Sequence, residues 1–432
     1  MPLTIFWFRR DLRTDDNAGL SAALQSKNPV LCLFIYDTEI LSKLSDKKDP
    51  RVEFIHERIS ILDLQLRKSG STLLVKHGKP ASIFTELLAE FDVQEVFTNH
   101  DYEPYALERD KKIQALLKKS NIPFRTFKDQ VIFEKSEVIN EAGLPYKVFT
   151  PYKNKWQQHL NAESIKSCES EKLLKNLFTC KAFTLPPLAG LGFEKSNIGI
   201  PSPKLDKNFL QDYGQQRDFP EPNKTSMLGI HLRFGTVSIR KMVSIALESS
   251  DIWLNELIWR EFFMQLLFHF PYVVNEPFQK KFRLVNWRHD EEDFRKWTEG
   301  MTGYPMVDAG MRQLNATGFM HNRARMITAS FLTKHLFIDW RWGETYFAEK
   351  LLDFELSSNN GNWQWAAGTG ADAQPYFRIF NPVSQQEKFD PDFKYIKKWI
   401  PEFGKPEYPK AMIDHKTAVQ RAKENFNKAL SH

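Results

Sequence analysis

Apolar and polar positions fall into two regimes along the chain. Through the first 130 residues, short apolar runs rich in β-formers alternate with stretches of helical period. The runs lie at 3–8 (LTIFWF), 30–36 (VLCLFIY), 72–77 (TLLVKH), 95–99 (EVFTN) and 124–128 (FRTFK). Helical patterns fill 17–26, 51–69, 80–90 and 105–119, the second with Ile55, Ile59, Leu62 and Leu66 on one stripe. Strands separated by helices of this length predict βαβ units and a parallel, doubly wound, Rossmann-like sheet. Such sheets bind ligands at the carboxyl ends of their strands. Residues 130–194 have weak periodicity and many lysines, and predict a long connector packed across the surface. From about 203 the pattern is nearly all helical. The expected fold class is therefore α/β plus all-α. Its boundaries fall at 1–129 (α/β domain), 130–194 (connector), 195–404 (α-helical domain) and 405–432 (a polar C-terminal segment, loose or a solvated helix).

Composition narrows the function classes. The hydrophobic and charged fractions, 42% and 26% of 432 residues, are ordinary for a globular protein. The N-terminal apolar run is too short for a signal peptide and is followed, not preceded, by Arg9 and Arg10. No run of about 18 apolar residues suggests a membrane span, and a cytoplasmic location is expected. Three cysteines, none in a CxxC pair, and scattered histidines argue against disulfides and against a metal site. The net charge of +6 permits a polyanionic partner without demanding one. No GxGxxG follows the first strand, where Phe8-Arg9-Arg10-Asp11 stands instead, so a nicotinamide dehydrogenase is disfavoured. Nine of the eleven tryptophans lie after position 250, which fits either a Trp-rich helical core or a π-stacked ligand and an electron path.

Three segments of the helical half concentrate chemistry. In NELIWREFF, Glu256, Trp259 and Arg260 share one helix face. Taken alone, that face reads first as an amphipathic helix with Trp259 in the core and the charges in water, and second as a cavity wall that stacks a base. In MHNRARM, Asn322 and Met326 lie one turn apart, and the segment reads equally as a solvated basic helix start or as one whose arginine, heading into the apolar ITASFL, needs a carboxylate partner. The segment from Asp353 through SSNNG to Trp363 and Trp365 predicts a polar turn wrapped round an aromatic ligand, with Asp353 a partner for Arg325. Its bland alternative is a surface loop anchored by two indoles.

These segments, with EGMTGYPMVDAGMRQLNATGF, AAGTGADAQPYFRIFNP and the opening FWFRRDLRTDDN, closely resemble the photolyase/cryptochrome family. The resemblance spans residues 3 to about 400 and is strongest to class I cyclobutane pyrimidine dimer photolyases. It implies a light-driven DNA repair enzyme, with a cryptochrome-type photoreceptor that binds FAD without repair as the alternative. The 195–404 domain would then bind FAD and DNA, the partner would be damaged DNA, no membrane would be involved, and the protein would act as a monomer.

The resemblance also implies roles. Tyr213, Thr225, Ser226, Met227 and Leu228 fall where the family contacts the FAD phosphates and ribityl chain, with a helix N-terminus expected near Lys224-Thr225-Ser226. At Met227 this chain departs from the family's usual arginine. Arg325, Asp353, Glu355 and Asn359 would border the flavin ring. Glu256 and Asn322 would hydrogen-bond the flipped dimer, Trp259 and Trp365 would stack on it, and Met326 would pack against it. Arg217, Arg323 and Arg378 would reach DNA phosphates. Trp363, Trp340 and Trp287 match an electron-relay series. A second, antenna chromophore is implied for the α/β domain, a folate, deazaflavin or flavin; around His100–Ala106 and Val274–Glu276 the chain departs from the family's folate pattern.

Overall fold

The computed structural model describes residues 1–221 and 224–431. Five strands form one sheet: β1 (Leu3–Phe8), β2 (Val30–Asp37), β3 (Leu73–Gly78), β4 (Val93–Asn99) and β5 (Phe124–Phe127), in the order β3-β2-β1-β4-β5. Every neighbouring pair is parallel, with Phe6 opposite both Cys32 and Phe97. β1 and β2 are buried along their whole length, which is why they read as continuous apolar runs rather than alternating ones.

The α/β expectation is met. Helices Ala18–Leu24 and Pro50–Arg67 cover one face, where Leu20, Ile59 and Leu62 pack with Phe6, Phe8 and Phe34. Helices Pro80–Glu90 and Pro104–Lys119 cover the other, where Phe84, Leu87 and Ile113 pack with Ile5, Trp7 and Leu33. Proline opens three of the four, a position where its missing N–H costs nothing. Sheet order reverses between β1 and β4, the switch point at which such folds open a crevice.

Two compact units emerge, each discontinuous in sequence. The first comprises 1–137, 158–204 and 228–248; the second comprises 138–157, 205–227 and 249–432. In the first, a buried charge cluster ties distant segments together. Arg13 and Arg240 each reach Asp129 at 2.8 Å, and Arg240 also reaches Asp16 at 2.9 Å. Burial alone would raise the Asp129 pKa, but the two guanidiniums outweigh it and hold the carboxyl below its usual range.

The second unit is helical, built mainly from Asp251–His269, Glu291–Glu299, Pro305–Thr317, Asn322–Ser330, Trp340–Lys350, Leu356–Ala367 and His415–Leu430. Its core gathers Trp297, Met306, Ile327, Phe347, Trp340 and Trp363.

Three local expectations are corrected. Within the stretch read as a surface connector, Phe149–His159 is a helix with Phe149, Tyr152 and Trp156 buried. The SSNNG segment is not a turn but the first half of the Leu356–Ala367 helix. Asn360 is buried in it and, like Gln364 further along the helix, donates to Val273 O, so tertiary bonds override weak propensity. The C-terminal segment is neither loose nor wholly solvated. Ala418, Ala422, Phe426 and Ala429 bury one stripe of the His415–Leu430 helix.

Candidate functional site

A cavity in the second unit, with about 620 Å³ of atom-free space partly open to solvent, is walled by two helix starts and the segment between them. Asn322 opens the Asn322–Ser330 helix, capped by His321, whose imidazole accepts from Arg323 N. Burial, followed by the charges of Arg325 and Arg323, pushes the His321 pKa down to about 4, so at neutral pH the ring is uncharged and free to accept. One turn on, Met326 takes a weak bond from the Asn322 amide, 3.7 Å to sulfur, and both residues line the cavity.

Arg325 is held from both ends. Its Nε donates to Met320 O at 2.7 Å, and its Nη2 lies 3.0 and 3.2 Å from the Asp353 carboxylate oxygens. The partner inferred from charge alone is the one present. Asp353 and Glu355 lead into the Leu356–Ala367 helix, which turns Ser358, Asn359, Asn362, Trp363 and Ala366 toward the cavity; Trp365 lines it as well. Asn359 donates its amide to Glu344, 3.0 Å to the backbone oxygen and 2.8 Å to Oε1, so its carboxamide is fixed in orientation. Burial raises the Glu344 pKa, against the bond from Asn359. Arg260 reaches Glu355 at 3.1 Å and ties the Asp251–His269 helix to the rim.

Not every inferred residue stands in this wall. Glu256 pairs with Arg217 at 2.5 Å, and burial raises its pKa despite that partner. Trp259 is half-buried and stacked at 3.7 Å, nearly parallel, on Phe149. Arg323 reaches Asp218 at 2.7 Å with its guanidinium 4.0 Å from the Phe389 ring centre. Arg378 is exposed and Tyr213 is buried, with the Arg217 guanidinium 5.5 Å from its ring.

Thr225 and Ser226 are partly buried, and Met227 has φ of +53°. The helix expected to begin near them starts at Gly229 and spans only Gly229–Arg233, so Thr225 and Ser226 precede it in an irregular turn. Leu228, its N-cap, is buried in the first unit.

Of the relay candidates, Trp363 and Trp340 are fully buried, and Trp287 packs on Phe337 at 4.9 Å. Trp287 and Trp340 also line a common hollow with His289 and Arg341.

Phe149 and Glu344 escaped the sequence-level reading. The spacing of Phe149, Tyr152 and Trp156 at i, i+3 and i+7 signals the helix that carries Phe149. Nothing local signals Glu344.

The first unit has a cavity of its own at the carboxyl ends of β1, β2 and β4, where Asp37 ends β2 and Asp101 follows β4. Trp7, Tyr36 and Tyr105 give it aromatic surface, and Arg9, Arg109, Asp37 and Glu103 give it charge of both signs. The Tyr105 phenol donates to Asp37.

The second unit's cavity suits FAD by its donor set. A fixed guanidinium, an oriented carboxamide, two carboxylates and flat aromatic walls match the polar edge and broad faces of a flavin.

Comparisons agree with this geometry. The signature described as DNA photolyase matches residues 4–170, and that described as FAD binding domain of DNA photolyase matches residues 253–406. The deoxyribodipyrimidine photo-lyase of Halobacterium salinarum is 35% identical, with 99% of each chain covered. The crystal structure of a class III photolyase from Agrobacterium tumefaciens superposes with a TM-score of 0.85 at 32% identity, covering 100% of this chain and 98% of that one. An archaeal photolyase from Sulfolobus tokodaii, solved with two FAD molecules, gives 0.83 at 32% identity over 99% and 100% of the two chains. Matched in both halves and aligned with its relatives from end to end, the chain belongs to the DNA photolyase family.

Proposed function

We propose that this protein is a carbon–carbon lyase that uses light to split cyclobutane pyrimidine dimers in DNA. The observation that carries the reading is the single cavity in which Asn322, Met326 and Trp365 meet Arg325, Asp353 and Asn359. The first three suit a flipped, poorly stacked pair of covalently joined neighbouring pyrimidines; the second three suit the polar edge of a flavin.

Bound in reduced form and excited by blue light, FAD supplies the electron that opens the dimer. The protein's residues hold and shield. Arg325, fixed by Asp353 and Met320 O, keeps a positive group beside the ring without moving when charge shifts. Glu344 orients Asn359, and Glu355 is steadied by Arg260. Asn322 presents its amide to the dimer's edge, and Trp365 offers it a ring face. Glu256 takes the second edge, while Trp259, backed by Phe149, forms the opposite stacking wall. Arg217, Arg323 and Arg378 bind phosphates of the damaged strand. Tyr213, Thr225, Ser226, Met227 and Leu228 hold the rest of the FAD. Trp363, Trp340 and Trp287 carry electrons inward when the cofactor is oxidised. The crevice of the first unit takes a second, light-collecting chromophore. The protein works as a monomer in the cytoplasm; among the described residues no helix is long and apolar enough to cross a membrane.

The deciding experiment is illumination of a dimer-containing oligonucleotide with the FAD-loaded, reduced protein. Intact pyrimidines should appear under blue light and not in darkness. Tight FAD binding with no repair would favour the photoreceptor reading.

A further inference from the structure

Trp363 has an aromatic neighbour that the relay series does not contain. Trp297, on the Glu291–Glu299 helix, stands edge-on to it with ring centres 6.1 Å apart and planes at 71°. Trp297 is fully buried, and its indole N–H donates to Thr328 O at 3.1 Å. Tyr346, on the Trp340–Lys350 helix, meets Trp297 at 6.0 Å and 65°. The Tyr346 phenol donates to Asn315 Oδ1 at 2.6 Å, at an exposed edge. Three oxidisable rings therefore run in contact from the cavity wall to the surface. Phe294 and Phe347 stack beside Trp297 at 5.7 and 6.1 Å, but benzene rings are far harder to oxidise and serve as packing.

We propose that Trp363, Trp297 and Tyr346 form a second electron branch that ends in a tyrosine, beside the series through Trp340 and Trp287. The inference rests on Trp363 being the residue oxidised first. One electron drawn from Trp363 by photoexcited, oxidised FAD leaves an indole radical cation. Trp297 refills Trp363, and Tyr346 refills Trp297, so the hole moves outward by two short steps. The buried Trp297 N–H is tied to a carbonyl and has no route for its proton to solvent, so the hole passes on. Tyr346 differs, because an oxidised phenol is strongly acidic and this one reaches the surface. Burial pushes the resting Tyr346 pKa up to about 12, against the bond to Asn315, so the phenol starts with its proton in place. In balance, Tyr346 gives one electron to the cofactor and one proton to bulk water. The neutral phenoxyl must regain a proton before the electron can return, which prolongs the charge separation.

The test uses oxidised holoenzyme, flash photolysis and electron paramagnetic resonance, with a nitroso spin trap and peptide mapping to locate the radical. In Trp340→Phe, which interrupts the other series, light should produce a tyrosyl signal trapped on Tyr346. Adding Tyr346→Phe, which removes one oxygen and little packing, should abolish that signal and the remaining flavin photoreduction. Adding Trp297→Phe instead should abolish them too, with FAD absorbance reporting that the protein is still folded. No tyrosyl radical in Trp340→Phe, or one that survives Tyr346→Phe, would overturn the branch. Photoreduction that persists in Trp363→Phe would instead overturn the relay assignment beneath it.

Discussion

Two side chains show how a neighbour decides what a residue offers. Trp259 has one indole face against Phe149, which keeps the ring flat in its place as a wall. Trp259→Ala should retain FAD yet bind dimer-containing DNA more weakly, since base–aromatic stacking contributes about 1–3 kcal/mol, roughly ten- to a hundredfold in affinity. Titration of a labelled oligonucleotide measures this, and unchanged affinity would remove Trp259 from the pocket. Arg323 presents a different case, because Asp218 already neutralises it. A DNA phosphate would exchange with that carboxylate. Arg323→Ala should flatten the slope of log K against log salt by about 0.9, with the preference for damaged DNA kept. An identical slope would mean that Arg323 serves only Asp218 and Phe389. At this scale the Arg325–Asp353 pair was legible, because a guanidinium entering an apolar helix requires a carboxylate. Glu344 was not, because its link to Asn359 joins two helices that no local pattern relates.

Among the elements, the helix Leu356–Ala367 carries the most. Its middle approaches the Asp251–His269 helix so closely that a Cβ on Gly361 would collide with the Phe263 ring. Gly343 makes the matching approach on the other side, against Trp363. Gly361→Ala should thus overpack the contact, at about 1–3 kcal/mol, although alanine is the better helix former. Thermal melting and FAD retention of the purified variant check this; a gain in melting temperature would mean that the helices can part. The five strands of the first 127 residues and the four helices that cover their sheet were legible because burial on two faces writes a strong period into sequence. The Leu356–Ala367 helix was not, since its serines and asparagines look like turn formers until their partners, Val273 O among them, are known. The His415–Leu430 helix hid its buried stripe in alanines, which carry little hydropathy.

At the scale of the whole molecule, the buried cluster at Asp129 joins segments far apart in sequence. Arg240→Ala would leave Asp129 with Arg13 alone and take the guanidinium from the Asp16 carboxylate, and stranding a buried charge costs about 3–5 kcal/mol. Denaturant melts should show that loss at neutral pH. Because the folded Asp129 pKa is depressed, its contribution is fully present above about pH 4, the unfolded value, and is lost as pH falls through the folded one. The acid-side decline of the melting midpoint should accordingly be shallower in Arg240→Ala than in the native protein. Equal declines would place the acid sensitivity elsewhere.

The interleaving of the two units along the chain has a consequence for synthesis. A ribosome has delivered all five strands by Phe127, yet Arg240, which closes the cluster beneath them, follows much later. At about 5–20 residues per second the nascent sheet waits several seconds with Asp16 and Asp129 only partly neutralised. Over the same interval Phe149 and Trp156 have emerged without Trp259 and Glu261, their partners in the finished protein. A stalled chain ending at Lys204 should therefore be cut readily by protease within its first 137 residues, and one ending at Glu248 should resist there. The sheet's vulnerable period falls between those two lengths, whereas the Phe149–His159 helix stays uncovered until Trp259 and Glu261 have followed.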